Sequence, residues 1–207
     1  MEYPALGVLR QGRLRPMGSP MTQLVLWPEE ARVWSRVTKF DPRACSLADR
    51  HYSRRSPGSN QFMPPGETVV LLTPCARAVF GWWRPHPRSG LCAWNGLSGW
   101  VCTIFRNEGA GLSSLLILAA EVVLRELGRG CGPDGLLTYV WDARVRSTNP
   151  GRCFKAAGWC MAGRSANGQK TLLHKPWNLC GQSPRLEDHG RLAGLPRTLL
   201  DRLEAAP

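Results

Sequence analysis

The stretch that most limits how this chain can fold is Trp100 to Gly130, WVCTIFRNEGAGLSSLLILAAEVVLRELGRG. A run rich in β-branched and aromatic residues (Val101, Thr103, Ile104, Phe105) enters Arg106-Asn107-Glu108-Gly109-Ala110-Gly111, and an apolar segment of helical length follows. That order predicts a strand, a glycine-containing loop and a helix. Glycines let the backbone turn tightly, and the first turn of the helix leaves its N–H groups unpaired at the positive end of the dipole. Such a junction suits an anion, phosphate above all. Gly109 and Gly111 supply the turn, Leu112 to Ser114 the helix start, and Arg106 a permanent positive charge beside it.

Two familiar phosphate loops do not fit this stretch. No Gly-Lys-Ser/Thr follows the loop to place a lysine on a nucleotide and a hydroxyl on magnesium, and the Gly-x-Gly-x-x-Gly dinucleotide spacing is missing. The spacing present is R-x-x-G-x-G.

The flanking chain organises itself around this unit. Residues 1 to 25 carry Pro, Gly and Arg without periodicity and read as a disordered leader, with Met21 a second candidate start. Arg and Pro interrupt what would be a signal peptide's apolar stretch. ARVWSRVTKF, Ala31 to Phe40, alternates as a first strand, with Val33, Val37 and Phe40 expected to be buried. Asp41-Pro42 opens a helix, Asp as cap and Pro at the first helical position. The helix runs into Arg50-His51-Tyr52-Ser53-Arg54-Arg55 and then SPGSNQFMPPGE, a long irregular segment of the kind that often forms a substrate lid. The same polar group also suits a plain solvated helix end, with His51 complementing the dipole.

TVVLLT (Thr68 to Thr73) and ARAVFGWW (Ala76 to Trp83) predict a hairpin, and Ser89 to Gly96 a further short segment with a turn. Trp82, Trp83, Trp94 and Trp100 are expected to fill the core, exposed members being able to stack on a base. LLTYVW (Leu136 to Trp141) is continuous enough for a strand buried on both faces, with Asp142 at its carboxyl end, where ligands collect in open sheets. Asn149-Pro150 starts a short helix closed by Gly158. Strands Cys160 to Arg164 and Thr171 to His174 are joined through Asn167-Gly168. A short amphipathic helix is predicted in LPRTLLDRLEAAP, packed on the domain or on a second subunit in a homodimer.

The longest apolar run, Leu115 to Leu124, is broken by Glu121 and falls short of the ~18 residues of a membrane span, so no membrane partner is expected. The 8 cysteines are scattered, without C-x-x-C pairs or zinc spacing, and read as reduced thiols of a cytoplasmic protein. The formal charge is +12, and the residues from 178 onward are net neutral, so the surplus lies in the body of the chain. Such a body suits a polyanion, although arginine excess also reflects coding composition.

R-x-x-G-x-G, in this order of elements and followed by Phe154-Lys155-Ala156-Ala157-Gly158-Trp159, resembles the GNAT acyltransferase superfamily over roughly residues 30 to 176. The resemblance implies an α/β (α+β) fold: a mixed, mostly antiparallel sheet with helices on both faces, splayed where the coenzyme enters. It implies a catalytic domain over 26–177, a leader over 1–25 and a tail over 178–207. It implies acetyl-CoA or another acyl-CoA held by Arg106, Asn107, Gly109, Ala110, Gly111, Ser113 and Ser114, with Asn149 and Phe154 along the pantetheine arm. Many members carry a Tyr where Phe154 stands, as the acid for the departing thiolate; Phe154 has no proton to give, which leaves Tyr139 or Cys153 as substitutes.

HYSRR, the Arg106 loop with Ser113-Ser114, the strand ending in Asp142, and FKAAGW further resemble the Mom-type phage DNA-modification proteins. These alter the exocyclic amine of adenine in DNA to an acetamido-type adduct. The likeness implies His51 or Asp142 as base, or the two together holding a metal. It implies Arg50, Tyr52, Ser53, Arg54 and Arg55 on DNA, with a base flipped from the duplex toward Tyr52 or the 56–66 loop. The alternative within the superfamily is an N-acetyltransferase acting on a small-molecule or protein amine.

Overall fold

The computed structural model describes residues 33–86, 97–130, 132, 134–145 and 147–182. The leader, the segment around Trp94 and the amphipathic helix of the tail lie outside the described residues.

Seven strands form one mixed sheet: β1 (Ser35–Val37), β2 (Glu67–Leu72), β3 (Ala78–Arg84), β4 (Trp100–Asn107), β5 (Leu136–Trp141), β6 (Cys160–Arg164) and β7 (Lys170–Lys175), in the order β1-β2-β3-β4-β5-β7-β6. Every neighbouring pair is antiparallel except β4 and β5. Helices α1 (Pro42–Asp49), α2 (Ser113–Glu126) and α3 (Arg152–Ala156) complete the α/β architecture.

The period-two alternation of β2 shows why the helices take opposite faces. Val69 and Leu71 share a core with Leu116, Ile117, Ala120 and Leu124 of α2. Val70 and Leu72 point the other way, to Ala44, Leu47 and Ala48 of α1. Trp34 and Trp82 fasten α2 to the sheet through indole N–H bonds to Leu116 O (2.9 Å) and Ala120 O (3.1 Å), so neither buried donor is orphaned. Trp82, Trp83 and Trp100 are all core residues. No described helix is long and apolar enough to cross a membrane.

Glu121, which breaks the apolar run of α2, is fully buried. Its carboxylate meets Lys175 Nζ at 2.7 Å and accepts from Trp159 Nε1 and Gly181 N, both 2.7 Å. Lys175 also donates to Ala157 O and Gln182 O. Burial pushes the carboxyl above its ordinary range, and the lysine and the N–H donors pull it back. This network ties α2, the end of α3, β7 and the 181–182 segment together.

Two expectations need correction. β1 is shorter than Ala31 to Phe40, and Phe40 is 56% exposed. The chain leaves the sheet in a turn, Asp41 N to Thr38 O at 3.1 Å, and Asp41 then caps α1 by accepting from Arg43 N and Ala44 N. The 56–66 loop, expected as a lid, is anchored to the sheet at its carboxyl-terminal half. Met63 is buried against Gly81 and Thr103, and Trp83 donates its indole N–H to Pro65 O.

Candidate functional site

β4 is paired with β3 along its length, to Ala78↔Asn107, and β5 with β7 to Trp141↔Lys170. Between β4 and β5 the register covers only Trp100↔Leu136, Val101↔Leu137 and Cys102↔Thr138. At that last rung Thr138 Oγ1 donates to Cys102 O at 3.0 Å. Beyond it the strands diverge around a cleft of about 240 Å³. Its walls bring together Thr103, Phe105 and Asn107 of β4, Tyr139 of β5, Ser113 at the head of α2, His51, Tyr52 and Ser53, and Cys153 and Phe154 of α3. Side chains from distant parts of the sequence thus face one space.

The glycine loop runs from the end of β4 to α2 and is shaped by Asn107. Its Oδ1 accepts from Gly109 N (3.1 Å) and Ala110 N (2.9 Å), while Nδ2 donates to Gly111 O (2.8 Å) and Ser113 Oγ (2.9 Å). Gly109 and Gly111 take φ of 84° and 145°, values that L side chains rarely adopt. The Gly109 and Ala110 N–H groups are therefore occupied by a side chain. Leu112, at the N-cap of α2, supplies no side-chain acceptor, so the N–H groups of Ser113 and Ser114 in the first turn remain for an anion.

Arg106 does not stand free beside this loop. Its Nε binds Glu108 Oε1 at 2.8 Å and its Nη1 donates to Arg50 O at 2.6 Å. Arg50 grips the same carboxylate with Nε (2.8 Å) and Nη2 (2.9 Å). Two guanidiniums hold the Glu108 carboxyl down to about 2. The cluster joins the exit of α1 to the glycine loop, which gives Arg50 and Arg106 a positioning role. Glu108 was not singled out by sequence; a carboxylate inside an Arg-Asn-Glu-Gly turn, opposite a second arginine-rich segment, is the signal that could have found it.

Arg54 is also corrected. Its side chain is 8% exposed and each guanidinium nitrogen has a partner, Asp49 Oδ1 (2.7 Å), Gln61 O (2.8 Å) and Ser59 O (2.6 Å). It pins the loop and is not available to DNA. Arg55 and Ser53 are exposed, and the Arg55 side chain makes no hydrogen bond or ion pair among the described residues.

His51 and Tyr52 belong to the cleft. Their rings lie 4.2 Å apart, and His51 Nδ1 is 2.7 Å from Ser53 Oγ. Burial, helped by the Arg106 charge, lowers the imidazole to about 4, so it is neutral at pH 7. Burial raises the Tyr52 phenol to about 12, with a hydrogen bond from the Trp141 backbone acting against it, and raises Tyr139 as well. A neutral imidazole and two protonated phenols line one cleft.

Asp142 is not brought onto the cleft wall with His51. It sits on the hairpin side of β5, where Oδ2 accepts from Arg164 Nη2 (2.7 Å) and Thr171 Oγ1 (3.0 Å). No group of three or more His, Cys, Asp or Glu that could hold a metal exists among the described residues. Asn149 is likewise displaced: it is exposed, and its Oδ1 accepts from Lys155 Nζ at 2.7 Å. Phe154 is both wall and core, its ring packed on Phe105 and Trp159. Cys102, Thr103 and Thr138 at the point of divergence were not read from the sequence, because apolar strands give no sign of where pairing stops.

No family model, curated protein or solved structure matches this chain.

Proposed function

We propose that the chain is a GNAT-like transferase that modifies the exocyclic amine of adenine in DNA with an acetamido-type group, using acetyl-CoA or a related acyl-CoA. The observation that carries the reading is the convergence of His51-Tyr52-Ser53 with the diverging ends of β4 and β5 and the head of α2. The cleft fits a coenzyme arm in part. Its walls are mainly apolar along Phe105, Val140 and Phe154, and an uncapped helix start stands at one end for phosphate. Arg106 does not contribute to that fit. When bound, the thioester supplies an acyl carbon open to attack by an amine.

The chain's own residues then have separable tasks. Adenine N6 carries no extra proton at neutral pH, so the enzyme must orient it and remove one proton as the carbon–nitrogen bond forms. His51, held by Ser53 through Nδ1 (Ser53 N donating at 3.3 Å, Ser53 Oγ at 2.7 Å) and kept unprotonated by burial, takes that proton. Tyr52 or Tyr139, held protonated, supplies the proton for the departing thiolate that Phe154 cannot give. A flipped base reaching this cleft meets the Tyr52 ring.

Mass spectrometry of nucleosides from plasmid DNA, taken from cells expressing the chain or its His51→Ala form, tests the reading. A new adenosine adduct present only with the intact chain is expected, and its mass names the group added. One observation favours a second reading: Arg50, Arg54 and Arg106 are spent on internal contacts, which leaves an N-acetyltransferase of a small-molecule or protein amine. Unchanged nucleosides alongside measurable coenzyme A binding would select it.

A further inference from the structure

The phosphate contacts expected at the exit of α1 are largely consumed internally, so a DNA substrate must be gripped elsewhere. Trp141 ends β5 with its backbone turned to Tyr52 in the cleft. Its indole is flanked by two cations, Arg144 with Cζ 5.0 Å and Lys170 with Nζ 5.2 Å from the ring centroid. Arg144 is exposed and Lys170 half-buried, and neither charged group makes a hydrogen bond or ion pair with any described residue. Beside them the carboxylate of Asp142 is neutralised by Arg164. Trp141, Asp142, Arg144 and Arg164 surround an open hollow at the turn between β6 and β7, and Lys170 flanks it over the Trp141 ring. An aromatic face holds such side chains in place without consuming their donors, which stay directed to an outside anion.

We propose that Arg144 and Lys170, ordered on Trp141, contact the sugar-phosphate backbone of the DNA whose base enters the cleft. The inference rests on the DNA-modifying reading above. Charge complementarity favours a polyanion, because the first 177 residues carry the whole +12 surplus and the Trp141 ring presents two uncommitted cations, Arg144 in this hollow and Lys170 beside it. Position favours it too: Trp141 carries both cations, directly follows Val140 of the cleft wall and bonds Tyr52 through its backbone, so the cationic surface adjoins the space an extruded base would enter.

The test is retention of a fluorescent duplex by the full chain across salt concentrations, comparing wild type, Arg144→Ala/Lys170→Ala and a charge-matched control, Arg36→Ala/Lys39→Ala, at the β1 end of the sheet. Deleting one cation that touches a phosphate lowers the slope of log affinity against log salt by about 0.9, so the first double variant should show a slope smaller by about 2 and an affinity about ten- to a hundredfold weaker at 0.1 M salt. The control should follow wild type, and coenzyme A binding, followed by calorimetry, should be unchanged in all three. Wild-type retention with no loss in Arg144→Ala/Lys170→Ala, or an equal loss in the control, overturns this inference alone. A wild-type chain that does not bind DNA at any salt overturns the DNA-modifying reading and the inference with it.

Discussion

Removing Lys175 should expose the logic of the buried Glu121 network. Lys175→Met keeps the volume of the side-chain stem and deletes the charge, leaving the Glu121 carboxylate buried beside Trp159 Nε1 and Gly181 N and leaving Ala157 O and Gln182 O without their donor. Breaking a buried pair from one side typically costs about 3–5 kcal/mol, a large part of a domain's stability. The loss should depend on pH with a definite sign. Without the lysine, burial raises the Glu121 pKa further above its unfolded value, so its protonated form is favoured in the fold. The variant should therefore recover part of its deficit relative to wild type as pH falls from 7 toward 5. Urea unfolding of the full chain at both pH values measures this. Glu121→Leu/Lys175→Met is the second arm. A buried pair is often replaced by apolar residues without loss, but here Trp159 Nε1, Gly181 N and Ala157 O would be stranded, each at about 1–3 kcal/mol, so the double variant should not regain wild-type stability. A Lys175→Met chain within about 1 kcal/mol of wild type, or a deficit identical at pH 7 and pH 5, would refute the reasoning.

Three further outcomes can be checked directly. Arg54→Ala should lower the unfolding temperature, consistent with the loss of about 1.5–3 kcal/mol from charge-assisted bonds, while leaving DNA retention unchanged, because the guanidinium holds the 56–66 loop and not a phosphate. For the transferase itself, the His51 pKa of about 4 lies below its unfolded value, so the neutral base persists well below pH 6.5; kcat/KM should hold to about pH 5 before falling, and a midpoint near 6.5 would contradict the burial of that ring. The same shift makes the fold lose up to about 3 kcal/mol as pH drops from 6.5 to 4, since only the unfolded chain takes up the proton there.

Local chemistry made much of the architecture readable. Asp41-Pro42 placed the start of α1, Asn167-Gly168 the closing hairpin, and the strand–glycine–helix order the centre of the sheet. The alternation in TVVLLT encodes two buried faces, and so helices on both sides. Side-chain commitments were less legible. An arginine in a dense basic segment looks the same in sequence whether it meets solvent, phosphate or a carboxylate, and only the fold brings Glu108 to Arg50 across 58 positions. Asp142 at a strand end looks like a cleft residue, yet it opens the 3-10 turn after β5 and its carboxylate meets Arg164 and Thr171 of the closing hairpin. Glu121 read as an interruption because its partner lies 54 residues away.

The seam between β4 and β5 has a consequence for how such a chain can diversify. Each half of the sheet is secured by its own antiparallel ladders, and the halves share three residue pairs. Residues beyond that seam, such as Thr103 and Tyr139, face the cleft without holding the two halves together. Random substitution there should leave expression and folding largely intact while changing what the cleft accepts, whereas the same load at Cys102 or Thr138 should end in misfolding. Selection can thus revise the chemistry of the opening one side chain at a time, on a frame that does not register the change.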